Sequence, residues 1–398
     1  MQTPQQSGYY SIHTTDRASF KRCKRRWDFA SPLRQYLAPI EGKSIALWFG
    51  TGFHFALEDF HGLRLWNTPD KAFEAYVQAC SAEECPQDVA EHTDLAMRMF
   101  AHYMRWIQLR DEFEAAVFVD EQDPTKQKLA CEVDFQIDLA ELNMFDMPVK
   151  YEGTFDSLYL HKFTKKIWVA EYKTAKSFDV LKLATDDQVS SYAWALRKCL
   201  PAYAAQNRLG GVVYTQFKKN APHAPIRLAG GGLSVNKQQS TTYGQYLQAL
   251  KQLFPGVPIE KYEAKYREML NCLSQQETLS GDDFINQQLV TRSEHNIAAQ
   301  YRKILADAYE MLNNPAITTN PTRDCTWDCA FRDVCIAMDE GADWENQIKL
   351  GFGKRTEVAE QWQLRLTVPP QAAKIGLEQA VGKTWKEFKD ERKLVLHG

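Results

Sequence analysis

Apolar residues recur every three to four positions from residue 15 to about 113, the spacing of amphipathic helices. A helix is predicted over 15–29, with Thr15 as N-cap and Phe20, Cys23 and Trp27 on one face. Pro32 and Pro39 mark its exit loop. Further helices are predicted over 43–66, 70–84 and 89–113. Near Leu129 the period drops to two. In LACEVDFQIDL, Cys131, Val133, Phe135, Ile137 and Leu139 share one side, while Glu132, Asp134, Gln136 and Asp138 share the other. Those four polar residues read as the solvent face of an edge strand. Tyr151–Ala175 reads as a hairpin of two strands, and 185–200 as a helix. Thr185 and Gln188 fit the T-x-x-Q capping box of that helix. Residues 209–218 form a buried strand, a further short strand is expected in PIRLAGGGLSV, and helix returns over about 240–312. The order strand, strand, strand, helix, strand predicts an α/β (α+β) chain with a central mixed sheet. The divisions are 1–128 helical, 129–235 the sheet-bearing core, 236–340 helical with a cysteine cluster, and 341–398 an extension without an interpretable motif.

Composition narrows the class. The chain has 398 residues, 44 % hydrophobic and 25 % charged, as in soluble globular proteins. No apolar run approaches the ~20 residues that cross a bilayer, and the N-terminal MQTPQQSGYYSIHTT lacks the apolar segment of a signal peptide. A cytoplasmic location with no membrane partner is expected. Net charge is −3, but six bases crowd between Arg17 and Arg26, and a second group holds Lys383, Lys386, Lys389, Arg392 and Lys393. Each reads as a solvated helix face or as a local nucleic-acid patch. Nine cysteines in such a compartment are not disulfides. Cys80, Cys85, Cys131, Cys199 and Cys272 are scattered and read as small core residues.

Two groups carry chemistry. On the second hairpin strand Val169, Glu171 and Lys173 point to one side, and Asp156 comes from the first strand. Two carboxylates and an ammonium are costly to bury together unless a cation joins them, and a divalent metal takes carboxylate oxygens. His54 lies four residues before Glu58 on a helix face, either as a hydrogen-bonded core residue or as a ligand. The second group is Cys325, Cys329 and Cys335, spaced C-x3-C-x5-C. Zinc sites more often use paired C-x2-4-C or histidines. Three local thiolates with one distant partner suit a cubane iron–sulfur cluster, and Cys23 is the candidate fourth ligand.

In order, Cys23, His54, Gly153-T-F-Asp156, Glu171-Y-Lys173, Gln188-V-S-S-Tyr192 and Cys325/Cys329/Cys335 resemble the RecB-like branch of the PD-(D/E)XK nuclease superfamily. The set is similar to members with an iron–sulfur cluster, among them the CRISPR-associated adaptation exonucleases and phage relatives. The resemblance covers roughly the first 340 residues. It implies a restriction-endonuclease-like core with helical insertions, and a [4Fe-4S] cluster joining the N- and C-terminal parts. It implies that His54, Asp156, Glu171 and the Tyr172 carbonyl hold Mg2+ or Mn2+, and that Lys173 orients or activates the attacking water. Gln188 and Tyr192 would support that lysine or contact DNA. One departure is C-x3-C where the family commonly has C-x2-C. The implied activity is a metal-dependent exonuclease on single-stranded DNA or DNA ends, with recombination or adaptation proteins as partners. The alternatives are a flap endonuclease and a non-catalytic DNA-end-binding protein on the same fold.

Overall fold

The structure is a computed structural model that describes residues 8–40, 45–62, 64–80, 88–110, 112–119, 127–278, 281–355 and 394–398, with Lys383 and Glu387. Of the residues singled out above, Cys85, Lys386, Lys389, Arg392 and Lys393 lie outside these.

The chain opens with β1 (Tyr10–His13), α1 (Thr14–Arg22) and α2 (Lys24–Ala30), followed by β2 (Leu37–Pro39). The single helix expected over 15–29 is thus two, separated by Cys23 in extended backbone (φ −163°, ψ 114°). The cap of α1 is His13 rather than Thr15. Helices α3 (Ile45–His61), α4 (Pro69–Ala79) and α5 (Val89–Gln108) come next. They interlock through aromatic rings, with Phe53 stacked on Phe100 at 4.3 Å and Trp48 edge-on to Phe73.

Strands β3 (Phe113–Ala115), β4 (Val117–Val119), β5 (Gln127–Leu129), β6 (Cys131–Asp138), β7 (Val149–His161) and β8 (Ile167–Ala175) follow. Then come α6 (Asp187–Cys199), α7 (Pro201–Ala205) and β9 (Leu209–Lys218). Beyond these lie α8 (Tyr243–Leu253), α9 (Ala264–Gln276), β10 (Ile285–Val290) and α10 (Glu294–Leu312). The chain ends with α11 (Arg332–Asp339), α12 (Trp344–Gly351), β11 (Phe352–Lys354) and β12 (Val395–His397).

The central sheet has the order β10-β9-β8-β7-β6-β12, with β1 and β3 also paired to β7, and is mixed: β8–β9, β12–β6 and β1–β7 are parallel, the others antiparallel. It is the flanked mixed sheet that the segment order predicts, but it draws on all four divisions. β1 and β3 come from the stretch read as helical, β10 from the helical 236–340, and β12 from the extension. β10 escaped the period rule because INQQLV mixes polar and apolar residues on both faces. PIRLAGGGLSV makes one isolated bridge, Arg227 to Leu233, and not a strand. Nor is β6 an edge, since β12 pairs with Asp134, Phe135 and Gln136.

Helices α3–α5 bury one face of the sheet through Tyr159, Ala170, Tyr172 and Val213. Helices α6 and α10 bury the other through Phe135, Phe155, Val169 and Tyr214. Helices α8 and α9 keep a small core of their own around Tyr246, Tyr266 and Leu270.

Strand β7 organises the site. One edge carries β6 along Lys150–Ser157 and then β3 at Tyr159–His161. The other edge carries β1 at Val149–Glu152 and β8 at Ser157–Leu160. Between β1 and β8 that second edge is open over residues 153–156, where the GTFD motif sits. Gly153 fits there because an added Cβ would lie 2.6 Å from the Phe135 ring.

Candidate metal and catalytic site

Opened backbone must find partners, and at the gap in β7 side chains provide them. The carboxylate of Asp156 accepts the Tyr172 amide at 2.9 Å. The Tyr192 hydroxyl donates to the Thr154 carbonyl at 2.9 Å and accepts from Gln188 Nε2 at 3.1 Å. Gln188 therefore closes no capping box. The N-cap of α6 is Asp186, which accepts from the Val189 amide, and not Thr185. The hydroxyl of Tyr192 is committed to the strand bearing Asp156 and not to Lys173.

Around that gap the predicted residues converge. His54 comes from the middle of α3, with Nδ1 3.5 Å from Asp156 Oδ2. Its ring also faces the Tyr172 carbonyl. Burial lowers the His54 pKa, which keeps the imidazole neutral and able to ligate. Glu171 is 1 % exposed, and Lys173 Nζ lies 2.5 Å from its Oε1. Apart from this ion pair, neither Glu171 oxygen has an N–H or O–H donor among the described residues.

The sequence reading missed Glu132 as a member. It sent that residue to the solvent face of an edge strand, whereas one ligand atom each from His54, Glu132 and Asp156 all lie within 4.8 Å of one another. The β6–β7 ladder pairs Cys131 with Ser157 and Val133 with Phe155, which sets Glu132 opposite Asp156. Like charges directly across a ladder repel, and Glu132 sits at φ +49°, where side chains are strained. Alternation alone could not find this. The signal lies in the register, which places Glu132 beside Asp156, 24 positions further along the chain.

Electrostatics record the crowding. Burial first, then Glu132, pushes Asp156 up to about 7, against the opposing pull of Lys173. Burial and Asp156 push Glu171 up to about 7. Burial works against the Lys173 ammonium, but Glu171 and Asp156 outweigh it and raise its pKa. Asp156 and Glu171, buried together with Glu132 close by, repel one another in low dielectric, and protons or a cation would relieve that. An imidazole with carboxylate oxygens suits Mn2+ or Mg2+, and the Glu171 carboxylate, paired only with Lys173 among the described residues, has further lone pairs to offer. The donor set fits the ion.

The six bases from Arg17 to Arg26 are not a free nucleic-acid patch. Arg17 is fully buried between Asp187 and Asp307, and Lys21 pairs with the same two acids. Arg22 and Arg26 meet Asp328, Lys24 meets Glu310, and Arg25 meets Asp339. Trp27, Trp48 and Trp66 are core residues.

Those pairs bring the cysteines together. Arg25 Nη1 lies 3.3 Å from Cys335 Sγ, and the Thr322 amide is 3.4 Å from Cys325 Sγ. Burial raises the Cys329 thiol pKa; nearby Arg26 lowers it, and Cys325 and Cys23 raise it. Cys23, at the break between α1 and α2, thus shares its surroundings with the three thiols distant in sequence. Cys23, Cys325, Cys329 and Cys335 are free of disulfides and half-buried, with Arg22 acting on Cys329 and Arg25 on Cys335, and among the described residues no three of these sulfurs lie within 4.8 Å of one another; thiolates are the usual ligands of iron–sulfur clusters.

A cavity of about 1940 Å³ opens beside the site and not over it. Phe60, His61 and Tyr159 line it, together with Arg64, Arg105, Arg110 and Lys162. Its link to the site is the half-buried His61 ring, stacked on Tyr172 at 5.8 Å and pushed down to about 3 by desolvation.

None of the curated proteins compared matches the chain. No helix among the described residues is long and apolar enough to cross a membrane. A family model described as the PD-(D/E)XK nuclease superfamily matches residues 15–336, which contain every member of the cluster just described and the full cysteine set. With Asp156 at the open strand edge and Glu171 and Lys173 at the end of the next strand, the chain belongs to the PD-(D/E)XK nuclease superfamily.

Proposed function

We propose that this nuclease is a metal-dependent DNA exonuclease acting on single strands or DNA ends, with a structural [4Fe-4S] cluster. The observation that carries the metal-dependent reading is the half-buried cluster of His54, Glu132 and Asp156 beside the buried Glu171 carboxylate and its ion-pair partner Lys173. A divalent ion held there by His54, Glu132, Asp156, Glu171 and the Tyr172 carbonyl would lower the pKa of a bound water and polarise a phosphoryl oxygen. Lys173, one-third exposed, holds its ammonium where a phosphate's non-bridging oxygen can meet it and offsets charge gathering there. Gln188 and Tyr192 hold the open edge of β7 in place. The adjoining cavity offers Arg64, Arg105 and Lys162 to a strand leaving the site.

End-labelled linear DNA and a covalently closed circle, each with Mg2+ or Mn2+, test the reading. Mononucleotides or short fragments from the linear substrate, with the circle intact, are expected. A cut circle makes the protein an endonuclease, and binding without metal-dependent turnover makes it an end-binding protein.

Cys23, Cys325, Cys329 and Cys335 would hold the cluster, clasping α1 and α2 to the segment that leads into α11. Anaerobically purified protein should be brown, and Cys329→Ser should lose colour and solubility together. Colourless, folded protein with stoichiometric zinc would overturn the cluster assignment.

A further inference from the structure

One polar side chain beside the site has no visible reason to be polar. Gln216, on β9, is 5 % exposed, and its amide oxygen has no hydrogen-bond partner among the described residues. A leucine of similar size would bury there without that cost. Its position explains the choice. β9 runs parallel to β8 with Gln216 in register with Lys173, and Tyr214 in register with Glu171. Paired residues on neighbouring strands point to the same face about 4.8 Å apart, so Gln216 and Lys173 lie side by side. On the far flank its ladder partner Asn286 accepts from Gln288 Nε2 at 3.0 Å, and makes no hydrogen bond to the Gln216 amide oxygen.

Lys173 has three N–H donors, and Glu171 is its one ion-pair partner among the described residues. If Glu171 also ligates a cation, the lysine loses part of that partner and needs another acceptor to keep its ammonium fixed. We propose that Gln216 is a positioning residue for Lys173, its amide oxygen accepting a hydrogen bond from Nζ once Glu171 turns to a bound divalent ion. The inference rests on the reading of Lys173 and Glu171 as site residues given above. It assigns a role to β9, which none of the motifs includes.

The test uses the full chain labelled with 15N-glutamine, the Gln216 side-chain amide being identified by its loss in Gln216→Leu. Ca2+ alone is the probe. The signal should shift with Ca2+ in the wild type and stay unmoved in Lys173→Met. Gln216→Leu should lower kcat on DNA about tenfold, the worth of one hydrogen bond, with KM unchanged. Gln216→Glu, which keeps the acceptor, should recover most of that loss. A Gln216 signal indifferent to Ca2+ in a protein that cuts DNA would reject the inference alone. A Ca2+-dependent shift that needs Lys173, in a protein that never cuts DNA, would keep the contact and reject the nuclease reading.

Discussion

Two charged regions of this molecule look alike in sequence and differ in what surrounds them. Between Arg17 and Arg26 six cations crowd together, and each finds an acid: Asp187 and Asp307 for Arg17 and Lys21, then Glu310, Asp328 and Asp339 for the rest. At the β7–β8 split, Glu132, Asp156 and Glu171 share one lysine and one neutral histidine. The first region is balanced and holds the fold together. The second crowds three carboxylates around one lysine, and repulsion between Asp156 and its acidic neighbours is what a cation would relieve.

The contrast predicts opposite responses to deletion. Arg17→Ala should destabilise the fold by about 3–5 kcal/mol, because it takes the fully buried cation from Asp187 and Asp307, beside Ser191 and Gln300, and leaves them only the more exposed Lys21. Chemical denaturation measures this, and a loss below ~1 kcal/mol would mean the network is decorative. Glu132→Gln should leave the metal-free protein as stable or more so, since it relieves the repulsion with Asp156. Its Mn2+ affinity should fall by roughly 10–100-fold, on the scale seen when a metal site loses a supporting group. Calorimetric titration reads that; unchanged affinity would remove Glu132 from the site.

pH gives a third, smaller handle. Asp156 and Glu171 are raised to about 7 in the folded chain from ordinary carboxylate values near 4. Without metal, their stabilising protons are fully in place below about pH 4 and are lost as pH rises through about 7. A cation displaces those same protons, so Mn2+ affinity should drop roughly tenfold per pH unit below 7 for each proton displaced. The rise in Tm on adding Mn2+ should accordingly be large at pH 8 and small at pH 5.5. Equal shifts at both would show that these carboxylates are not the ligands.

What the sequence made legible followed from periodicity and from motif order. Glu171 and Lys173 on one strand and Asp156 on its neighbour lie together as the strand pattern implies, while His54, placed in the set by the motif order rather than by spacing, lies 3.5 Å from Asp156. What escaped depended on facts that no local window holds. Glu132 joins through the register of β6 against β7. β10 and β12 enter the sheet from segments whose patterns are too short or too polar to mark as strands. Cys23 interrupts a helix that reads as continuous, because the side-chain period of α1 carries on into α2 while the backbone does not. The basic run was ambiguous for a similar reason: acids more than a hundred residues away decide whether a lysine is free.

Digestion of end-labelled linear DNA with Mg2+ or Mn2+, by the wild type beside Glu171→Ala and Lys173→Ala, tests the central claim most directly. The wild type should degrade the DNA only when the ion is present. Both variants should remain folded by circular dichroism and lose at least ~10²–10³ in rate, the usual loss when a group stabilising transition-state charge is removed. Full activity in both folded variants would contradict the assignment of this site.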